Sequence, residues 1–498
     1  MKIKNFKSLQ KTNIIGDENM EVSGIAFDSR EVKTGDIFVA IQGTKINGEK
    51  FIDKAIENGA VAIVLQKTSS YKNEKITKIY VENPRKTLAF LSQELYPKRP
   101  KIITAITGTN GKTSIADFTK QFFEMLGSSS ASFGTLGFDT TDKSIKKIEI
   151  KEITSPNPLT FYKILDSLAE NKVESLCFEA SSTAMIQARI EGMQRKINCI
   201  GFTNLTPDHL SEHGTMENYF NAKASLFFDY LADDGIAVIN ADDSYGKKLI
   251  SQLNPQSVLS YGKNGEYFKV LKNTPKDTTQ SVIIEIFGRA LKIELPLIGA
   301  FQLHNALCAF GLMLGGFYGR KIFKKDFWQD YRLAQFRGFL QKLKPVRGRL
   351  EYVGKTKKGA TVFVDYAHTF DAMENVLGAL RPHTEGKLTI IFGIGGGRHE
   401  RQNMGKTAND FADKIVLTDD NPREDDPKFL RELVKKNIQN KDKLLEIPDR
   451  EEAIKTAILE SQNGDCIVIA GKGHETYQEI KGKKTHFDDR EIAEGYMK

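Results

Sequence analysis

Residues 105–114, AITGTNGKTS, combine a glycine-containing turn with a lysine and a threonine. The segment KIITAIT before them is a short apolar run that predicts a buried strand, and SIADFTKQFFEML after them has apolar residues at helical spacing. A strand, a glycine turn and a helix start form an anion site, because backbone N–H groups and the helix dipole point at one place. The pattern predicts a nucleotide phosphate site where Lys112 reaches the outer phosphates and the Thr113 hydroxyl holds Mg²⁺. The alternative is an ordinary strand–helix turn.

Three further residues could supply metal ligands. Glu179 follows the apolar run VESLCFEA, where its carboxylate could hold Mg²⁺ or could simply be a solvated strand end. In MENYFNAKASLFFDYL, Lys223 shares one predicted helix face with Met216, Tyr219, Phe220, Phe227 and Tyr230. Such a lysine either extends to water or is a neutral amine that takes up CO₂ as a metal-binding carbamate. His209, upstream in a loop, is either a ligand or a structural histidine.

Composition is typical of a soluble globular protein of about three domains, with 498 residues, 40% hydrophobic and 27% charged. The net charge of +8 is spread along the chain, which favours anionic small molecules over nucleic acid. The four cysteines lack C-x-x-C spacing and predict buried free thiols in a reducing cytoplasm. We expect neither a transmembrane helix nor a signal peptide, because no apolar run approaches the required length.

The elements that must position these residues predict an α/β protein of three domains. PKRPK, a basic proline-rich break, separates an N-terminal α/β domain (1–98) from a central doubly wound domain (99–337). The central domain includes a β-rich stretch over 256–297 and the helix GAFQLHNALCAFGLML. A third, Rossmann-like domain (338–498) has the strands ATVFVDY, KLTIIFG, DKIVLTD and DCIVIAG. Ligands bind at the carboxyl ends of such strands, so the polar loops that follow them are candidate site loops.

These motifs, in their order along the chain, resemble the Mur ligases. The segments that carry the resemblance are FDSREVKTGDIFVAIQGTKINGEKFI, TGTNGKTS, FEASSTAMIQARIEG, TNLTPDHLSEHGTMENYFNAKASLF, GAFQLHNAL, RGRLEYV, VDYAHT, DNPR and GKGHETYQ. Together they cover essentially the whole chain. The resemblance implies a uridine-binding N-terminal domain, a central ATP-binding domain and a C-terminal amino-acid-binding domain.

The resemblance also implies roles for individual residues. ATP would be contacted by Gly108, Thr109, Asn110, Gly111, Lys112, Thr113, Ser114, Asn305, Arg349 and His368. The metal would be held by Thr113, Glu179, His209 and carbamylated Lys223, and the catalytic set would be Lys112, Glu179, His209 and Lys223. The UDP-substrate would be contacted by Ser29, Thr44, Lys45, Ile46, Thr154, Ser155, Ser181, Gln187 and Arg189. The incoming amino acid would be held by Arg401, Asp420, Asn421, Pro422, Arg423, Gly471 and Glu475.

The implied activity is that of an ADP-forming acid–amino-acid ligase of peptidoglycan precursor synthesis. It would add meso-diaminopimelate to UDP-N-acetylmuramoyl-L-alanyl-D-glutamate with ATP and Mg²⁺, as a cytoplasmic monomer that engages neither nucleic acid nor membrane. The alternatives are a lysine-adding member, another Mur or folylpolyglutamate-type ligase, and a non-catalytic UDP-sugar-binding relative. The chain departs from the family pattern at Thr183, Pro207, Ser211 and Glu212 and in a shortened loop around Arg401.

Arg423 in DDNPRED is the residue that favours diaminopimelate over lysine. Diaminopimelate carries one extra carboxylate, and the planar fork of arginine binds a carboxylate through two hydrogen bonds. Glu475 in GKGHE would bind the ammonium beside that carboxylate. The alternative is that Arg423 pairs only with its neighbours Glu424 or Asp425 as a solvated loop charge.

Overall fold

A computed structural model describes residues 1–43, 46–141, 145, 154–208 and 210–498. The chain packs as two compact units. Unit 1 comprises Met1–Ile239, Asp243–Leu259 and Ala309–Phe327, and unit 2 comprises Asn240–Asp242, Ser260–Cys308 and Trp328–Lys498.

Unit 1 begins with a small five-stranded sheet. Its spatial order is Asn13–Ile15, Thr77–Val81, Ala62–Gln66, Asp36–Val39 and Gly24–Ala26. Only the first strand is antiparallel to its neighbour. Two helices accompany this sheet, Ile52–Glu57 and Pro84–Leu95. The second begins with an Asn83 cap followed by proline, the arrangement that favours a helix start.

The second sheet of unit 1 is mostly parallel and carries the phosphate loop. Six of the ten strands of this sheet, in spatial order, are Gly137–Thr140, Ser130–Gly134, Ser175–Glu179, Ile102–Thr107, Ile197–Phe202 and Leu231–Asn240. Only the Gly137–Thr140 strand runs antiparallel to its neighbour. The helices of this region are Lys112–Met125, Pro158–Glu170, Ser182–Ile186, Leu210–His213, Met216–Ser225 and Ser244–Gln252. Its central strands are buried along their whole length and consist mostly of apolar residues, because both faces are covered.

Unit 2 contains an antiparallel ribbon and a six-stranded sheet. The ribbon consists of Phe268–Pro275, Gln280–Ile286 and Arg289–Leu295, and it follows the strand Val258–Gly262. The six-stranded sheet has the order Glu351–Lys355, Thr361–Asp365, Cys466–Ala470, Leu388–Phe392, Lys414–Leu417 and Leu444–Glu446. All but the first strand are parallel. A hairpin, Tyr477–Ile480 and Lys483–His486, follows the sheet; the helices are Asp330–Gln341, Phe370–Leu380, Met404–Phe411, Pro427–Lys435, Arg450–Glu460 and Asp489–Met497.

The helix Ala300–Tyr318 is the most apolar of the long helices that the structure describes. With its short extension to Phe323, it is long and apolar enough to cross a membrane, but 72% of the apolar window is buried inside the protein. A buried core helix has this character, and the expectation of no transmembrane helix stays a prediction. All four cysteines are buried and free, which confirms the prediction of unpaired thiols.

The predicted strands and the β-rich stretch are confirmed, with two differences in detail. The segment 216–231 was expected to form one helix, but the α-helix ends at Ser225, a π-helical turn covers Leu226–Tyr230, and a strand begins at Leu231. Gly338, the expected start of the third domain, lies inside the helix Asp330–Gln341. The two boundaries between the three domains stay predictions.

Candidate active site

The phosphate loop joins the strand Ile102–Thr107 to the helix Lys112–Met125. That strand lies between the strand ending at Glu179 and the strand ending at Phe202, with Ile106 opposite Glu179 and Thr107 opposite Phe202. The predicted strand–turn–helix is therefore confirmed, and Glu179 lies beside it as expected. No side chain caps the helix start, where Gly111 adopts a left-handed conformation with φ of 87°. Free N–H groups in the first helical turn are what an anion site requires.

The loop is held from the neighbouring strand end. The Asn110 backbone N–H donates to Asn204 Oδ1 at 3.0 Å, and the Thr203 hydroxyl donates to the Asn110 carbonyl at 2.7 Å. A Cβ atom on Gly108 would lie 1.9 Å from Thr203 Oγ1, so only glycine fits there. Thr109 exchanges hydrogen bonds with the backbone of Thr206 at 3.1 and 3.3 Å. These bonds fix the cradle before any ligand arrives.

Two lysines converge on the carbonyl oxygen of Gly108. Lys112 Nζ donates to it at 3.0 Å and to the Thr109 carbonyl at 2.8 Å, while Lys223 Nζ donates to it at 2.8 Å. Lys223 is 1% exposed and lies over the Tyr219 ring. Its pKa is lowered well below the usual value by burial and, to a smaller extent, by the Lys112 charge. Lys223 therefore does not extend to water, and its amine is poised to be neutral.

Glu179 is a buried carboxylate at the end of its strand. Its oxygens accept from the Thr135 backbone N–H at 2.8 Å and the Thr135 hydroxyl at 3.2 Å. It is 1% exposed, which excludes the alternative of a solvated strand end. A Cβ atom on Gly134 would lie 2.0 Å from Glu179 Oε1, so the bare glycine gives the carboxylate its space.

Three of the four predicted metal ligands lie among the described residues. His209 lies outside the described residues, and among the residues that the structure describes no group of three or more His, Cys, Asp or Glu side chains could hold a metal. The Thr113 hydroxyl and Glu179 belong to the elements around the phosphate loop. Hydroxyl and carboxylate oxygens suit Mg²⁺, which takes few protein ligands and completes its shell with phosphates and water.

The predicted UDP-substrate residues fall into two groups. The Ser155 hydroxyl donates to the Glu179 carbonyl at 3.0 Å and to Ser181 Oγ at 3.2 Å, and Thr154 contacts the Thr135 hydroxyl at 3.4 Å. Arg189 donates to the Ser155 carbonyl and to Gln187 Oε1, so these five residues form one connected surface.

The second group lies in the N-terminal sheet region. Ser29 is buried there, where its carbonyl accepts from Asn58, and Ile46 is exposed. No hydrogen bond between described residues joins Ser29 or Ile46 to the Ser155 group. Thr44 and Lys45 lie outside the described residues.

Two of the departures from the family pattern are partners of one another. The Thr183 hydroxyl donates to Glu212 Oε2 at 2.8 Å. Next to them, His213 Nε2 lies 3.0 Å from the Ser182 hydroxyl. The polar groups of Thr183 and Glu212 therefore satisfy each other.

The three predicted ATP residues of unit 2 are linked through one network. Asn305 donates to Gln302 Oε1 at 3.0 Å, and Gln302 donates to the Arg349 carbonyl at 3.3 Å. The Arg349 guanidinium stacks 4.5 Å from the Tyr366 ring centroid. His368 Nδ1 lies 2.6 Å from the Tyr366 carbonyl, and burial, with help from the Arg401 charge, lowers the pKa of His368 to about 4.

The loop DNPR lies at the carboxyl end of the strand Lys414–Leu417. Asp420 and Asn421 are buried, whereas the Arg423 side chain is 45% exposed. Arg423 Nε is 3.9 Å from Glu479 Oε2, on the hairpin, and Nη1 donates to the Gly396 carbonyl at 3.3 Å. The expected alternative partners, Glu424 and Asp425, are thus not its ion-pair partners in the described contacts.

The other predicted amino-acid residues surround this loop. The buried Asn421 donates to Glu475 Oε2 at 2.8 Å, and a Cβ atom on Gly471 would lie 2.5 Å from Asp420 Oδ2. Burial raises the pKa of Glu475, and the Lys472 charge opposes that rise. Burial also lowers the pKa of Arg401, with a smaller contribution from Arg398. No hydrogen bond among the described residues joins Arg401 to Asn421 or Glu475.

Comparison with known protein families identifies the family of this chain. Residues 106–313 match the Mur ligase middle domain, residues 348–473 match the Mur ligase glutamate ligase domain, and residues 21–96 match the Mur ligase family catalytic domain. The chain is 40% identical over 487 residues to a UDP-N-acetylmuramoyl-L-alanyl-D-glutamate–2,6-diaminopimelate ligase of Zymomonas mobilis, covering 96% of this chain and 95% of that protein. The chain belongs to the Mur ligase family. The three matched segments confirm the predicted three-domain α/β architecture.

Other Mur ligases are similar to this chain in sequence or in fold. An enzyme of the same name from Bradyrhizobium diazoefficiens is 38% identical, over 95% of this chain and 94% of its own. A solved structure titled UDP-N-acetylmuramoyl-L-alanyl-D-glutamate–2,6-diaminopimelate ligase is 29% identical with a TM-score of 0.69, covering 100% of this chain and 99% of that one. MurF of Thermotoga maritima, solved in complex with ADP, shares the fold at 19% identity and a TM-score of 0.58, over 91% of this chain and 94% of its own.

The sequence did not predict the residues that hydrogen-bond to the phosphate loop, to Glu179 and to Asn421. Asn204, Thr203 and Thr135 bind the loop or the Glu179 carboxylate, and Lys472 lies behind Asn421. The signal available for Asn204 was its place just after the apolar run INCIGF, which predicts a buried strand. Thr135 had no such signal. It lies 44 residues from Glu179 in the chain, and their hydrogen bond depends on the order of strands in the sheet.

Proposed function

We propose that this chain joins 2,6-diaminopimelate to UDP-N-acetylmuramoyl-L-alanyl-D-glutamate with hydrolysis of ATP to ADP and phosphate. The observation that carries the proposal is the similarity, over 95% or more of both chains, to the Zymomonas enzyme of that name. The phosphate loop, the buried Glu179 and the DNPR loop each supply chemistry that this reaction needs. Its place is in peptidoglycan precursor synthesis in the cytoplasm.

The first step activates a carboxylate at the phosphate loop. The γ-carboxylate of the D-glutamyl residue attacks the γ-phosphorus of ATP, an acyl phosphate forms and ADP leaves. Lys112 and the backbone N–H groups at the start of the helix Lys112–Met125 would offset the negative charge gathered there. Ser114 and the residues Gly108–Gly111 complete the cradle. The assignments of Asn305, Arg349 and His368 to ATP stay predictions.

We assign Mg²⁺ to the Thr113 hydroxyl and the Glu179 carboxylate, with His209 as a further ligand. When bound, Mg²⁺ neutralises phosphate charge and polarises the transferred phosphoryl group. Lys223 fits carbamylation, because a neutral buried amine is the form that adds to CO₂ and its cation would be costly at this site. The resulting carbamate would supply an anion close to the Gly108 carbonyl and beside Lys112.

The second step forms the amide bond. The amine of the incoming amino acid attacks the acyl carbon, and inorganic phosphate leaves. Arg423 and Glu475 would hold the distal end of that amino acid, Arg423 by its carboxylate and Glu475 by its ammonium. Asp420, Asn421, Pro422 and Gly471 would shape the pocket around them, and Arg401 would add a further cation.

A phosphate-release assay tests the proposal. Purified protein with ATP, Mg²⁺ and UDP-N-acetylmuramoyl-L-alanyl-D-glutamate should release phosphate at a sustained rate only when meso-diaminopimelate is added. Parallel reactions with lysine, and with no amino acid, are the controls. A comparable rate with lysine would identify a lysine-adding ligase, and no release with any amino acid would favour a non-catalytic role.

A further inference from the structure

Lys472 is a buried cation that the reaction described above does not use. It follows the strand Cys466–Ala470, and its side chain is 0% exposed. Its Nζ donates to Asn421 Oδ1 at 3.2 Å and to the Tyr477 carbonyl, and it lies 3.7 Å from Glu475 Oε2. A fully buried lysine is costly unless it is paired and hydrogen-bonded, so these partners explain its presence.

The contacts of Lys472 determine which way the Asn421 amide faces. Asn421 Oδ1 accepts from both Lys472 Nζ and the Glu479 backbone N–H, the latter at 2.9 Å. With its oxygen held by two donors, Asn421 must turn its Nδ2 to the other side, where it donates to Glu475 Oε2 at 2.8 Å. One oxygen of the Glu475 carboxylate is thereby anchored, and Oε1 receives no hydrogen bond from the described residues.

We propose that Lys472 is a positioning residue for the amino-acid substrate, acting through the Asn421 amide on the Glu475 carboxylate. The inference rests on the proposed function, because it takes Glu475 as the group that binds the ammonium of the incoming amino acid. Lys472 does not touch that substrate. It fixes the amide orientation, and the amide leaves Glu475 with one anchored oxygen and one oxygen for the ligand.

The first experiment compares Lys472→Met with the wild type in steady-state kinetics. Methionine keeps much of the length and removes all three N–H donors. We expect KM for the amino acid to rise by about tenfold or more, and KM for ATP and for the UDP-substrate to stay within about twofold. Equal changes in all three constants, or no change in any, would overturn the proposal.

A double-mutant cycle then tests whether Lys472 acts through Asn421. In an Asn421→Ala background the amide is already lost, so Lys472→Met should raise the amino-acid KM by clearly less than it does in the wild type, the remainder being its 3.7 Å ion pair with Glu475. Effects that multiply would mean an independent structural role. Thermal unfolding of each variant, measured alongside, separates these kinetic changes from loss of fold.

A second variant serves if Lys472→Met does not fold. Asn421→Asp keeps an acceptor for Lys472 and for the Glu479 N–H but cannot donate to Glu475. Amino-acid KM should rise by about tenfold or more in protein that still unfolds in one cooperative transition, and an unchanged KM would overturn the proposal. All measurements use whichever amino acid the wild-type enzyme accepts, so failure of the diaminopimelate assignment and failure of the Lys472 proposal give different results.

Discussion

Two lysines share one carbonyl oxygen in the phosphate loop, and their environments separate their roles. Lys112 begins a helix at the open end of the cradle, whereas Lys223 is enclosed at 1% exposure. Two ammonium groups that bind the same oxygen repel each other, and burial disfavours the charged form of Lys223 more than that of Lys112. Burial lowers the pKa of the Lys223 amine and so favours its neutral form, which is the form that the proposed carbamylation needs.

Lys112→Ala should abolish ligation and leave binding of the UDP-substrate intact. The phosphate loop and the Ser155–Arg189 surface use different side chains, so the loss of one leaves the other. Removing a charged phosphate contact is worth several kcal/mol in the transition state. Turnover should fall by at least about 100-fold in the phosphate-release assay, while calorimetry should give an unchanged Kd for the UDP-substrate. Turnover above about a tenth of wild type would contradict this role.

Lys223→Ala should be nearly inactive, and added formate or acetate should partly restore it. The reason is that a small carboxylate would replace the carbamate in the space that the side chain leaves. Lys248→Ala is the matched control, since Lys248 is a partly exposed lysine paired with Glu217. Mass spectrometry of native protein at high bicarbonate should show a CO₂ adduct on Lys223 and none on Lys248. Failure of rescue together with an unmodified amine would leave Lys223 as a structural residue.

Arg423→Ala should raise KM for diaminopimelate by about 100-fold and hardly change KM for ATP. In the structure Arg423 is partly exposed and only loosely paired with Glu479, so a carboxylate ligand can replace that partner. Glu424→Gln, one residue away on the same loop, should leave both constants unchanged. Competition between diaminopimelate and lysine in one reaction with the wild-type enzyme measures its selectivity. Comparable kcat/KM values for the two amino acids would overturn the assignment.

At the scale of elements, buried strands were the most predictable part of the chain. Parallel strands covered on both faces are short continuous apolar runs, and KIITAIT and DCIVIAG had that pattern. The helix 216–231 was extended too far because its apolar spacing continues through Leu226–Tyr230, where the backbone adopts a π-helical turn. The spacing of side chains does not distinguish these two backbone forms over one turn.

Site residues that are close in sequence could be predicted, whereas residues that only the folded sheet brings together could not. Gly108–Ser114 form one local motif. The hydrogen bonds of Thr135 to Glu179 and of Lys472 to Asn421 join residues 44 and 51 positions apart. Those pairs follow from strand order and loop conformation, which periodicity alone does not specify.

Gly134→Ala tests the element that gives Glu179 its space. An added Cβ would lie 2.0 Å from Glu179 Oε1, so the carboxylate must leave its bonds to Thr135. We expect kcat to fall by about 10- to 100-fold, with Mg²⁺ dependence shifted to higher concentration. Gly378→Ala is the control, because nothing lies within 4 Å of its added Cβ. An unchanged Mg²⁺ dependence in Gly134→Ala would separate Glu179 from the metal site.

At the scale of the molecule, the candidate chemistry is divided between two compact units. Unit 1 holds the phosphate loop, Glu179 and Lys223, and unit 2 holds the DNPR loop, Glu475 and Arg349. In each unit the functional side chains gather at the carboxyl ends of parallel strands, as open α/β sheets dictate. Each unit also encloses ionisable groups whose charge state depends on folding, which makes the stability of the whole chain dependent on pH.

Stability should fall between pH 6.5 and about 4 because two histidines of unit 2 are held neutral. Burial, with smaller effects of Arg401 on His368 and of Arg349 on His474, lowers the pKa of each from 6.5 to about 4. Across this window the unfolded chain binds more protons than the folded one, so the free energy of unfolding rises with pH and is fully present above 6.5. Each partly exposed histidine should contribute about 1 to 2 kcal/mol of this change, less than its full pKa difference implies.

His474→Asn should therefore lose less stability than wild type when the pH is lowered from 7 to 4, as measured by urea unfolding at each pH. The Asp365 and Glu475 carboxylates, whose pKa values are raised by burial, act in the opposite direction but are common to both proteins and cancel in the comparison. Parallel curves for the two proteins would show that His474 ionises freely in the folded state.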